Sequence, residues 1–215
     1  MRKIVLIVTG LLLFSFILSI SFFPYMPEKM ATHWNVQGEA DGSMSKFWGL
    51  FFLPALLTGL TIMLLLIPNI DPEKKNIEKF RAYYDRFIVI FILFMLLAQI
   101  QTLLWNLGIK INPNFILPVG IGFLFYYIGI LIEKAERNWF IGIRTPWTLS
   151  SDKVWKKTNQ LGGKLFKIAG IIAIFGSFLP RYAFFFILVP ALFVAGFTVV
   201  YSYKEAKKES GDTGS

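Results

Sequence analysis

The sequence predicts an all-α fold, a polytopic membrane bundle of six helices, and three observations carry that prediction. The 215 residues are 55% hydrophobic and 17% aromatic but only 16% charged, a balance too apolar for an ordinary soluble domain of this length. Long uncharged runs recur along the chain, most of them able to cross a hydrocarbon core of roughly 30 Å at about 1.5 Å per residue. The cations, finally, gather in alternate connections between those runs, as the positive-inside rule asks of a multi-pass protein.

Ile4 to Phe23, behind Arg2 and Lys3, forms the first predicted helix. Its apolar run exceeds the roughly 7 to 15 residues of a cleaved signal and no small-residue cleavage site follows, so it reads as a retained anchor. A polar outer loop, Pro24 to Lys46, leads to the second helix, Phe47 to Ile67. The connection Pro68 to Arg86 carries Lys74, Lys75, Lys79, Arg81 and Arg86, and the third helix, Phe87 to Leu107, bears Gln99, Gln101 and Asn106 on its far half. Phe115 to Ile132, with Gly120, Gly122 and Gly129, makes the fourth. After a polar segment the chain is apolar from Ile168 to Tyr203 except near Leu179-Pro180-Arg181. One helix of that length would measure about 54 Å, nearly twice the hydrocarbon core, so it must fold back on itself. The fifth helix is placed at Lys164 to Leu179, with Lys164 and Lys167 snorkelling, and the sixth at Tyr182 to Tyr203. Ala169, Ala173 and Ser177 on the fifth, and Ala191 and Ala195 on the sixth, have the spacing of close helix packing. The organisation is therefore residues 1–68 with the outer loop 24–46, residues 69–114, residues 115–203 with the inner segment 133–163, and a disordered tail at 204–215.

Six spans put both termini on one side. Taking that side as cytoplasmic leaves only Lys29, Lys46, Lys110 and Arg181, of 22 Lys and Arg residues, outside. The net charge of +9 then reflects topology in the cell membrane and contact with anionic lipid, with no direct nucleic acid partner. The chain has no cysteine, which excludes disulfides, thiolate nucleophiles, Cys-ligated zinc and iron–sulfur clusters.

No ionisable residue lies in the middle of a predicted span, which argues against a coupled pump. Gln99, Gln101 and Asn106 are the polar intramembrane residues; they suit interhelical hydrogen bonding or, as an alternative, the path of a small-solute transporter or channel. Phosphate-cradling glycine loops, HExxH and GxSxG are absent, and neither a catalytic residue nor a cofactor is indicated, so the chain is expected not to be an enzyme. His33 is the single histidine, with Glu39 and Asp41 as nearby carboxylates. These three are the one combination from which a metal site, and hence a membrane-embedded metallohydrolase, could be built; a loop histidine packed beside Trp34 is the plainer reading. Gln37-Gly38 and Asp41-Gly42 read as turns.

The largest polar interruption is Asn138 to Gly163. Arg144 stands there between Ile143 and Thr145-Pro146-Trp147, where a guanidinium needs an anchor: a carboxylate, carbonyls, a Trp face or a lipid phosphate. Pro146 keeps Thr145 out of helical geometry, and Ser150 or Ser151 can cap a following helix with Asp152 in its first turn. Along that helix Val154, Thr158, Leu161 and Leu165 share a side with Trp155 beside them, an interfacial amphipathic pattern, and Gly162-Gly163 allow a change of direction. Such a segment serves as a membrane-surface connector or as a docking face.

Two groups of residues together resemble the SdpI family, the sporulation-delay toxin immunity membrane proteins. In the outer loop they are Pro27, Ala31-Thr32-His33-Trp34-Asn35, Gly38 and Asp41-Gly42. In the inner segment they are Asn138, Gly142-Ile143-Arg144-Thr145-Pro146-Trp147-Thr148-Leu149, Val154-Trp155, Thr158 and Gly162-Gly163. The family pattern often has a His after the Thr at 158; Asn159 stands there in this chain, so a role that needs an inner imidazole is not implied. The resemblance implies a membrane protein that protects a cell against a secreted antimicrobial peptide and that can transduce a signal by holding an ArsR-type repressor at the inner face. It makes His33, Trp34, Asn35, Gly38, Glu39, Asp41 and Gly42 candidates for contact with a toxin peptide outside. Asn138, Gly142, Arg144, Thr145, Pro146, Trp147, Thr148 and Trp155 become candidates for signalling inside.

Overall fold

Antiparallel helices run between two ends, one carrying a small β-hairpin and the other most of the charged connections. The computed structural model describes residues 2–212. The helices are α1 (Arg2–Phe22), α2 (Lys46–Ile70), α3 (Lys74–Lys79), α4 (Arg81–Asn106), α5 (Pro113–Lys134), α6 (Pro146–Ser150), α7 (Asp152–Gly176) and α8 (Ala183–Asp212). The chain forms a multi-pass membrane bundle in which α1, α2, α4, α5 and α8 are long and apolar enough to cross a bilayer.

The all-α bundle is as expected, and its outer loop adds one hairpin of strands β1 (Lys29–Trp34) and β2 (Ala40–Ser45), paired antiparallel. Two expectations are corrected. The predicted fifth helix and the amphipathic segment before it are one unbroken helix, α7, about 37 Å long, whose lysine-rich first half keeps it outside the five apolar spans. The tail predicted as disordered is helical through Asp212, with residues 213–215 outside the described range, because Glu205 and Glu209 are tied to α7 and the residue before it.

The glycine pair read as a hinge has another use. Gly163 faces Gly129 and Gly170 faces Gly122, and a Cβ on any of the four would sit 2.5 to 2.6 Å from a carbonyl oxygen of the facing helix. Helices α5 and α7 therefore approach through backbone, in steps of seven residues on each. Gly162 lies under the Ile143 side chain. Ala169 and Ala173 are buried as expected, but Ala195 is turned outward; α8 faces inward with Val194, Thr198, Ser202 and Glu205.

The three intramembrane amides go to three different places. Gln99 clasps α1, accepting from the Ser15 hydroxyl at 2.6 Å and donating to Ser15 O at 2.9 Å and Ser19 Oγ at 3.0 Å, while Ser19 donates to Leu50 O of α2. Gln101 donates to Ile111 O at 2.6 Å in the α4–α5 connection. Asn106 holds the hairpin, accepting from Ala31 N at 2.8 Å and donating to Ala31 O at 2.9 Å. Each of these bonds holds one piece of the scaffold. Asn106→Ala should therefore speed amide exchange at Ala31 about tenfold, the equivalent of one lost hydrogen-bonded anchor, while His33→Ala leaves it unchanged, measured by hydrogen–deuterium exchange.

Candidate functional site

At the hairpin end, Asn35 builds the turn. Its side-chain oxygen accepts from Gln37 N and Glu39 N, both at 3.0 Å, and Gly38 takes the left-handed φ of +81° the turn requires. Gly38 is buried against Asn112, and Asn114 donates to Val36 O at 2.9 Å and to Pro180 O at 3.0 Å, joining hairpin, α5 and the α7–α8 turn. Trp34 packs edge-on against Trp105, with ring centroids 5.6 Å apart. His33 lies over Gly42, where a Cβ would meet its own at 2.8 Å, and its Nδ1 is 2.5 Å from Asp41 Oδ1. Glu39 points instead to Asn35 Nδ2, and among the described residues no group of three His, Asp or Glu side chains converges as metal ligands would. Trp34, Asn35, Gly38 and Gly42 thus form the hairpin, and His33, Glu39 and Asp41 stand exposed on it.

The inner segment is held at every turn by side chains that read its backbone. Asn138 is fully buried and uses both ends of its amide: Oδ1 accepts from Phe140 N at 2.9 Å and Ile141 N at 2.6 Å, and Nδ2 donates to Glu136 O and Ile141 O, both at 2.8 Å. Gly142 has φ of +115°, with Asn159 and the Trp155 ring where its Cβ would be. Asn159 Oδ1 accepts from Ile143 N at 2.8 Å, and the Trp155 indole donates to Ala135 O at 2.8 Å. Thr145 and Thr148 form a reciprocal cap at the start of α6, and Thr145 also donates to Ser202 Oγ of α8 at 3.0 Å. Pro146 occupies the first position of α6, where its missing N–H costs nothing, and Trp147 meets Tyr203 edge-on. Ser151 caps α7 and reaches Glu209 at 2.6 Å.

Sequence reasoning missed several of the tethers. Buried Asp71 accepts from Trp139 N at 2.9 Å, Asn76 donates to Arg137 O at 2.9 Å, and Arg137 pairs with Asp152 at 2.7 Å while donating to Leu149 O. Lys157 meets Glu205 at 2.6 Å, and Lys167 meets Glu133 at 2.7 Å. Asp71 next to Pro72 at the end of an apolar helix was the available signal, since an acid there has to find donors.

Arg144 differs from this pattern. It is exposed, donates to Trp139 O at 2.6 Å and makes no ion pair among the described residues. It stands at a cavity of about 440 Å³ bounded by α2, α4, α5, α8, Phe166 of α7 and the segment Phe140 to Thr145. The arrangement is a pinned loop, with Trp139 and Phe140 exposed on it, above an apolar recess.

The comparisons cover both polar elements. The chain is 32% identical over 200 residues, 92% of its own length and 93% of the relative's, to the protein named Immunity protein SdpI of Bacillus subtilis (strain 168). The chain belongs to the SdpI/YfhL family. The profile of the SdpI/YfhL protein family matches residues 134–202, which hold the pinned segment, α7 and most of α8. A domain of unknown function, DUF1648, matches residues 10–58, which hold the hairpin. No solved structure matches the chain. Membership of the SdpI/YfhL family and five apolar helices make this a multi-pass cell-membrane protein.

Proposed function

We propose that this chain is a membrane immunity protein that protects its cell against a secreted antimicrobial peptide. The observation that carries the reading is the 32% identity to the Bacillus subtilis Immunity protein SdpI along 92% of this chain. The likeness therefore includes the hairpin and the pinned segment together and is not confined to apolar helices.

In this reading the hairpin end faces outside and the basic end faces the cytoplasm, as the distribution of Lys and Arg favours. Helix α7 supplies a sixth crossing. It starts beside Ser151, tied to Glu209, and ends before a turn whose Pro180 O is tied to Asn114 near the hairpin, and Lys167 is neutralised by Glu133 on the way. The exposed His33, Glu39 and Asp41 are placed to meet the peptide, and the pinned segment, with exposed Trp139 and Phe140, is placed to hold an ArsR-type repressor. The chain performs no catalysis in this scheme.

Cells carrying the chain should survive a panel of secreted antimicrobial peptides better than cells lacking it, for at least one member of the panel. Arg144→Ala should weaken that protection without reducing the amount of protein in the membrane, because it frees Trp139 O while the other tethers stay. Equal survival across the panel rejects the reading.

A further inference from the structure

We propose that the cavity beneath the pinned segment binds one anionic phospholipid, its phosphate on Arg144 and an acyl chain in the recess between α2 and α8. This goes beyond peptide protection and does not depend on it.

The recess of about 440 Å³ lies in the range of small-molecule pockets, roughly 300 to 1,000 Å³. Leu64, Ile67, Phe87, Ile128, Leu131 and Val199 give it apolar walls. Two of those walls belong to helices whose outer faces are lipid-facing in character, with Met63 and Leu66 exposed on α2 and Leu192 and Phe193 exposed on α8. An apolar recess does not hold ordered water well, and in a bilayer the nearest material to fill it is an acyl chain.

The charge at the mouth selects the headgroup. Arg144 spends one donor on Trp139 O, makes no ion pair among the described residues, and shares the lining of the recess with no acidic side chain. An unneutralised guanidinium at the polar boundary suits a phosphate, and exposed Trp139 and Phe140 beside it suit the headgroup level. A peptide segment fits less well. Its backbone carbonyls would need donors, and the two threonines of the lining have committed their protons, Thr145 to Ser202 and Thr198 to Val194 O.

The test uses the purified full chain with phosphatidylglycerol or phosphatidylcholine and counts retained lipid by native mass spectrometry. The wild type should retain one phosphatidylglycerol in about fivefold preference to phosphatidylcholine. Arg144→Gln should abolish the preference and Arg144→Lys should keep most of it. Val199→Trp, which fills the recess from a half-exposed position and leaves Arg144 in place, should prevent retention, while Lys75→Gln changes the same charge elsewhere at that end and should have no effect. The proposal is overturned if Arg144→Gln or Val199→Trp binds like the wild type or if both lipids are held equally. It is overturned as well if inorganic phosphate or a synthetic apolar peptide displaces the lipid.

Discussion

Gly170→Leu is expected to lower the stability of the bundle by about 3 kcal/mol, read as an earlier midpoint in a denaturing-detergent titration, whereas Gly196→Leu leaves the midpoint nearly unchanged. The contrast isolates the cause. Gly170 lies on the backbone of Gly122, where a Cβ would meet the carbonyl oxygen at 2.5 Å, and a carbonyl in a helix cannot rotate aside. Gly196 has nothing within 4 Å of a built Cβ. Both positions gain helix propensity from the change, so propensity works against the predicted loss and cannot produce it. Separating α5 from α7 would also shift Asn159 and Trp155, which hold Ile143 and Ala135, so the pinned segment should loosen with the interface.

Asn138→Leu should be of similar size, about 3 kcal/mol or more, and local in its effect. The side chain keeps the branching of the original but is larger, and it leaves Ile141 N and Ile141 O in buried bonds, and Phe140 N and Glu136 O in part-buried ones, without their partner, at roughly 1 to 3 kcal/mol for each group that water cannot reach. Limited proteolysis should then cut between residues 136 and 150 where the wild type resists. Asn138→Asp should be at least as damaging, since it keeps both accepted bonds but sets a carboxylate oxygen against the carbonyls of Glu136 and Ile141 in a fully buried place.

Much of the helical architecture was legible from where charge interrupts apolar runs, and the cores of the predicted spans lie within observed helices. The failures have specific causes. Gly162-Gly163 reads as a hinge when only the local chain is considered, and what faces it, Gly129 and Ile143, is known only after folding. The hairpin was hidden because β1 is six residues long and its anchor, Asn106, lies 75 positions away. Glu205 and Glu209 sit among lysines and read as a solvated tail, yet they meet Lys157 and Ser151. In the candidate site the residue types were legible and the roles were not. Asn138, Gly142, Thr145 and Thr148 shape the segment from within, and only Arg144 of the charged residues there is left facing outward with a carbonyl as its partner.

The most direct test of the protective role is a survival measurement in a Bacillus subtilis strain deprived of its own Immunity protein SdpI and exposed to the toxin peptide that the family resemblance implies. Expression of this chain, verified in the membrane fraction, should raise survival above that of the empty vector, and Asn138→Leu should return it to the empty-vector level. Survival no better than the empty vector, with the wild-type chain present and folded in the membrane, would contradict the account.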